Sequence, residues 1–238
     1  MPKIIATKEI FIEEICVKLL QKKMKNIHLK ICAPHGEVRV SAPLRVSLVQ
    51  IKKFVSSKID WIKTKQIEVK NRKIAPLPKF ISGEKHFFLG KEFELQIFEK
   101  SKKNEVLIKQ NSLEIHLKNP ANQAKLEKII ENFYRGELLK ISPSIIFKYE
   151  QKINKKISKF GVKKMKTRWG SCNPRHRRIW LSLELAKKPI ECLEFIIAHE
   201  MAHLLQANHS KKFYAVLDAI LPEWRIANSV LKPSKRAL

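Results

Sequence analysis

The chain has 238 residues, with 49 Lys+Arg against 22 Asp+Glu, a formal net charge of +27. Hydrophobic residues make up 44%, which excludes a disordered chain that cannot bury a core. No apolar run is long enough to span a bilayer as a helix, and the opening MPKIIATKEIFIEE carries acids too early for a secretory signal. Cys16, Cys32, Cys172 and Cys192 form no C-x-x-C pair. That argues against a disulfide framework or cysteine zinc ribbon and favours a reducing cytoplasm. The charge raises a polyanion such as nucleic acid as a partner, against the competing reading of a Lys-rich solvated surface. It divides as +13 and +14 on either side of Pro120, so no basic tail accounts for it.

In chain order, Ile27–Ile31 and Glu37–Ser41 alternate at period two around Pro34-His35-Gly36, a hairpin pattern. Ser47 can cap a helix in which Leu48 or Val49, Ile51, Phe54, Val55, Ile59 and Ile62 recur at helical spacing. Residues 74–83 hold two prolines and a glycine and read as a linker or loop. Short strands follow at 87–89, 93–97, 105–109 and 113–117. A long helix is expected after Asn119-Pro120, interrupted near Pro143 and resuming to about Lys152. Residues 165–172 and 178–183 read as strands joined by Asn173–Arg177. Pro189 suits the first turn of an apolar helix running to about Ala207, with Asn208 in the left-handed conformation that often ends a helix. Ser210 can cap one more helix, stopped by Pro222. No internal repeat is apparent. The domains expected are a β-rich region with one helix over 1–120 and a catalytic region over 121–238.

The chemistry concentrates in Ile196-Ile197-Ala198-His199-Glu200-Met201-Ala202-His203, which contains H-E-x-x-H. On a helix, residues i and i+4 lie one turn apart on one face, so His199 and His203 can hold one ion. Glu200, beside them, can take a proton from a water activated by that ion. Zinc in a catalytic site takes three protein ligands and keeps one position open. His209, past the expected helix end, can supply the third imidazole. In a chain of this composition H-E-x-x-H arises by chance about 0.02 times. Burying two imidazoles with a carboxylate is unfavourable unless something pairs them. These arguments favour a metal over the alternative of satisfied core histidines. The oxyanion of such a hydrolysis needs a further donor, for which Tyr214, Arg168 and His176 are candidates. The glycine and Met-turn of metzincins are absent.

Three segments resemble the YgjP-like branch of the SprT-related zinc metallopeptidases. They are Thr167-Arg168-Trp169-Gly170-Ser171-Cys172, His199-Glu200-Met201-Ala202-His203-Leu204, and Asn208-His209-Ser210 with Phe213-Tyr214. Gly36–Pro43 and Trp61-Ile62 resemble the family's first half more loosely. The resemblance implies an α+β, zincin-like catalytic domain, its active-site helix packed on a small antiparallel sheet. It also implies Zn²⁺ on His199, His203 and His209, with Glu200 as general base. Tyr214 stands where the family has Trp.

The Trp169–Cys172 segment, with Trp169 packing over Gly170 and Ser171 beside it, could pair with an extended peptide or protein substrate. From Lys148 to Arg178 there are 12 Lys/Arg and one acid. Lys155, Lys156, Lys163, Lys164, Lys166, Arg175, Arg177 and Arg178 form a candidate patch for non-specific DNA or RNA binding. The sequence leaves open a hydrolase of a non-peptide amide or ester, and a nucleic-acid-binding module with structural zinc.

Overall fold

The computed structural model describes residues 4–32, 34–71 and 78–231. The first part of the linker expected over 74–83 lies outside these residues; 78–81 are irregular and 82–83 form a turn. The chain is α+β and parts into two compact units between Ala75 and Pro76.

In the first unit, β1 (Ile4–Ile12), β2 (Ile15–Lys22), β3 (His28–Cys32) and β4 (Glu37–Pro43) form a sheet of order β1-β2-β4-β3. β2 and β4 are parallel and the two outer pairings antiparallel. The expected hairpin is β3–β4, whose alternation buries Val38, Val40 and Ala42. The alternation is blurred in β1 by exposed, apolar Phe11 between buried Ile10 and Ile12, and in β2 by adjacent Leu19 and Leu20, both buried. Helices α1 (Leu48–Ser56) and α2 (Ile59–Lys70) follow. Ser47 caps α1 through a reciprocal pair with Gln50: its hydroxyl accepts from the Gln50 N–H, and its own N–H donates to Gln50 Oε1. The single expected helix breaks at Ser57-Lys58, yet Ile51, Val55, Ile59 and Ile62 are all buried as their spacing implied.

The second unit opens with β5 (Lys85–Phe88), β6 (Lys91–Phe98), β7 (Glu105–Lys109) and β8 (Ser112–His116), in order β5-β6-β8-β7. Its apolar face (Phe93, Leu95, Leu113, Ile115) shares one core with α3 (Gln123–Ile153) and the helices that follow. The Tyr134 hydroxyl on α3 donates to the Phe87 carbonyl. This shared core is why the chain divides at residues 75/76 and not at Pro120.

The two units repeat one pattern. Both sheets have the same strand order, a parallel central pair and antiparallel outer pairs. Buried Val38, Val40 and Ala42 correspond to Leu113, Ile115 and Leu117. Cap Ser47 follows Val38 at the interval at which cap Asn122 follows Leu113, and buried Ile51 and Val55 keep step with Leu126 and Ile130. The residue identities differ, so the repeat does not show in the sequence.

α3 runs through Pro143 without interruption. Proline removes the bond to the Leu139 carbonyl, but Leu139 and Pro143 lie on the exposed side, where water can serve that carbonyl. Leu138, Ser142, Ile146 and Tyr149 are buried on the opposite side and anchor the helix across the gap. A left-handed Asn154 ends it.

Strands β9 (Lys159–Lys163), β10 (Gly170–Asn173) and β11 (Arg178–Ser182) then form a sheet of order β10-β11-β9. The expected antiparallel pair is β10–β11; β9 joins β11 in parallel. A 3₁₀ turn (Leu183–Lys187) leads to α4 (Ile190–Ala202), α5 (Lys211–Ile220) and α6 (Trp224–Leu231). α4 is apolar nearly all round and sits in the core. It ends at Ala202, short of the expected Ala207, with His203 as its right-handed C-cap, and Asn208 is not left-handed.

Candidate metal centre

The imidazoles of His199 (α4), His203 (its C-cap) and His209 (the loop before α5) converge, with one nitrogen of each within 4.8 Å of the others. Nε2 of His199 and His209 lie 3.0 Å apart. Two imidazoles come from the one-turn spacing on α4; the third arrives because the helix stops at Ala202 and the chain turns back before Ser210 caps α5. Fully buried Phe213 floors the site, its ring centroid 5.0 Å from that of His199 and 4.7 Å from those of His203 and His209.

His203 Nδ1 lies 3.1 Å from the Gln206 carbonyl oxygen. As a carbonyl only accepts, Nδ1 carries the proton and Nε2 is left for an ion. Burial, helped by the neighbouring imidazoles, pushes His199 down to about 4, so it is neutral at physiological pH. Burial also lowers His203. Three converging imidazoles over an apolar floor are the donor set that a borderline cation such as zinc takes.

Glu200, on α4 next to His199, packs against β10. Burial raises its carboxyl to about 7, against the opposing pull of the Arg168 guanidinium. The carboxyl is buried. Gly170 on β10 makes room for it: a Cβ there would lie 2.7 Å from Glu200 Oε1 and 2.8 Å from Ile196 Cγ2. Gly170→Ala is expected to displace the carboxyl and lower kcat about 100-fold with zinc content unchanged, as read by paired metal analysis and turnover.

A raised carboxyl has a cost in stability. The native state holds its proton up to about pH 7, whereas the unfolded chain releases it near 4.5. This contribution is present below pH 4.5 and lost as pH rises through 7. In metal-free protein, Glu200→Gln should therefore gain on the wild type by about 2–3 kcal/mol between pH 5 and 8, measured by urea unfolding. His199 has the opposite sign, losing stability as pH falls from 6.5 towards 4, and cancels because both proteins carry it.

The remaining expected residues scatter. Arg168 lies close enough to act on Glu200. Tyr214 stacks on His209 with centroids 6.4 Å apart. Trp169 is part-buried against the core, its carbonyl accepting from the Ser182 N–H. Ser171 pairs with Trp180 on the sheet face opposite Gly170 and Cys172, away from Glu200. Cys172 lies on the Glu200 side, its thiol pushed up to about 12 by burial and that carboxylate, as suits a packing residue. His176 stays in the β10–β11 turn, its N–H donating to Asn173 Oδ1 and its carbonyl accepting from Ser158 Oγ. In the basic patch, Lys164 is held between Glu127 and Glu131.

Sequence reading missed the bracing supplied by α6. Trp224 stacks on Tyr214 and on Phe195, both at 5.7 Å. Its indole N–H donates to Asp218, which also pairs with Arg225. The ladder Trp224–Tyr214–His209 thus supports the most exposed of the three imidazoles from behind. Buried Trp224, Ala227 and Leu231 carry a helical period just past Pro222, the one signal that could have revealed α6. Tyr214→Ala is expected to weaken zinc binding about 10-fold and Tyr214→Phe to leave it unchanged, by competition against a chromogenic chelator.

A family model described as YgjP-like, metallopeptidase domain, matches residues 25–234, and the chain belongs to that family. Comparison with curated proteins and with solved structures returns no match.

Proposed function

We propose that the chain is a zinc-dependent peptidase in which His199, His203 and His209 hold Zn²⁺ and Glu200 is the general base. The observation that carries this reading is the convergence of three imidazoles beside a buried carboxyl. Bound zinc supplies a Lewis acid that polarises the scissile carbonyl and acidifies a water. Glu200, poised near neutral pH, takes the proton of the attacking water and passes it to the leaving amine. Arg168 or Tyr214 donates to the developing oxyanion; Arg168→Lys and Tyr214→Phe separate the two, the donor being the one whose loss lowers kcat. Among the described residues β10 is an edge strand paired with β11, and its outer side offers an extended peptide backbone bonds, with Trp169 beside it.

The unbalanced positive charge supports a polyanion such as DNA or RNA as a further partner. The four free cysteines and the lack of any helix long and apolar enough to cross a membrane, among the described residues, support a cytoplasmic protein. A library of peptides, esters and non-peptide amides offered to the zinc-loaded chain tests the substrate class. Selective cleavage of peptides is expected, and turnover confined to the other amides or esters would replace peptidase with a broader hydrolase.

A further inference from the structure

The outer face of the β10-β11-β9 sheet, opposite the side that carries Glu200, gathers cations around one indole. Strand pairing sets Asn173 and Ser171 beside Arg178 and Trp180, and these beside Lys159 and Gly161, with Lys163 beside Ser182. Inner-face Ile179 and Leu181 are buried, so the alternate residues Arg178 and Trp180 point outward. Residues 151–182 contain no Asp or Glu. Lys155, Lys156, Lys159, Arg175, Arg177 and Arg178 are exposed and make no ion pair among the described residues. By contrast Lys148 and Lys164, from the same basic run, are neutralised by acids.

The indole is set flat. Trp180 lies across Gly161, where a Cβ would come within 2.6 Å of the ring, so only glycine lets the indole lie down on the sheet. The Lys163 ammonium lies over the ring, 3.4 Å from its centroid. An ammonium on a four-carbon stem swings aside at little cost when a phosphate arrives to bind it, uncovering the ring face.

We propose that this face binds single-stranded nucleic acid without sequence preference: a base stacks on Trp180 while Lys159, Lys163 and Arg178 contact the flanking phosphates. The proposal rests on the reading of the basic run as a polyanion surface and names its ligand. Charge alone fits any polyanion; the flat indole among the cations selects the single strand. A duplex keeps its base faces stacked inside, and an acidic peptide has no ring to offer. Because β10 borders the metal centre on the sheet's other side, a strand held here stays close to the site without occupying it.

The test is binding of a fluorescent oligo-dT to the full chain, metal-free, so that its outcome does not depend on any hydrolysis. Trp180→Leu should weaken binding about 10-fold. The Lys159→Ala/Lys163→Ala/Arg178→Ala triple variant, confined to exposed side chains, should weaken it and flatten the slope of log K against log salt by about 2. Later zinc uptake by each variant reports an intact fold. The proposal is overturned if the wild type does not bind oligo-dT, if the triple variant binds it as the wild type does, or if Trp180→Leu takes up zinc and binds unchanged. Equal competition by duplex DNA or by polyglutamate would reduce the face to a charged surface and also overturn it.

Discussion

Glu200→Gln is expected to hold zinc as the wild type does and to lose peptide hydrolysis by at least 100-fold and up to about 10⁴-fold. The amide matches the carboxyl in size, so the fit against Gly170 is kept. It cannot accept the water proton, so proton transfer to the leaving amine is lost with it. The comparison is turnover per bound zinc. In metal-free protein the same substitution relieves the cost of burying an ionised carboxylate at pH 8, so the variant should be more stable and less active. A structural helix whose glutamate merely packed would show the gain in stability without any loss of hydrolysis.

His203→Ala is expected to weaken zinc binding by about two orders of magnitude. Structural zinc sites with four ligands are worth about 10–16 kcal/mol, so one ligand accounts for roughly 3 kcal/mol. His203 is the sharpest choice because its Nδ1–H is fixed by the Gln206 carbonyl, leaving Nε2 as the only free nitrogen. Removing it also opens the floor over Phe213. Hydrolysis should fall in proportion to zinc occupancy, and zinc added to saturation should restore part of it. Retention of full zinc affinity would place the ion elsewhere.

The candidate site was legible in the sequence because the patterns that assemble it are local. The one-turn spacing of His199 and His203, the Ser210 cap and the apolar run of α4 are short-range patterns, and each appears in the fold. Much of the framework was legible too: the β3–β4 hairpin, the strands of the second sheet, and the buried positions of α1 and α2. What escaped depends on contacts distant in sequence. β9 pairs in parallel with β11 across the β10 hairpin, and nothing in Lys159–Lys163 alone announces a partner. The Pro120 boundary failed as a guide to compact units because the β5–β8 sheet buries its apolar face against α3, downstream of that proline. The repeated sheet-and-helix pattern survives as burial and spacing, and not as residue identity.

The same distinction sorts the basic residues. Sequence places Lys163 and Lys164 side by side in one run. The fold sends Lys164 to Glu127 and Glu131 and lays Lys163 over Trp180. Charge counting treats the two alike, whereas Lys163 ends β9 and Lys164, just beyond it, reaches acids on α3. Likewise Ser171 and Cys172 are adjacent, but only Cys172 reaches the Glu200 side.

The most direct measurement of the central claim is mass spectrometry of a peptide library incubated with the zinc-loaded chain and, in parallel, with its zinc-loaded Glu200→Gln variant. The account predicts new peptide termini with the wild type and none above background with the variant. The absence of new termini at one zinc per chain, or the same termini from both proteins, would contradict it.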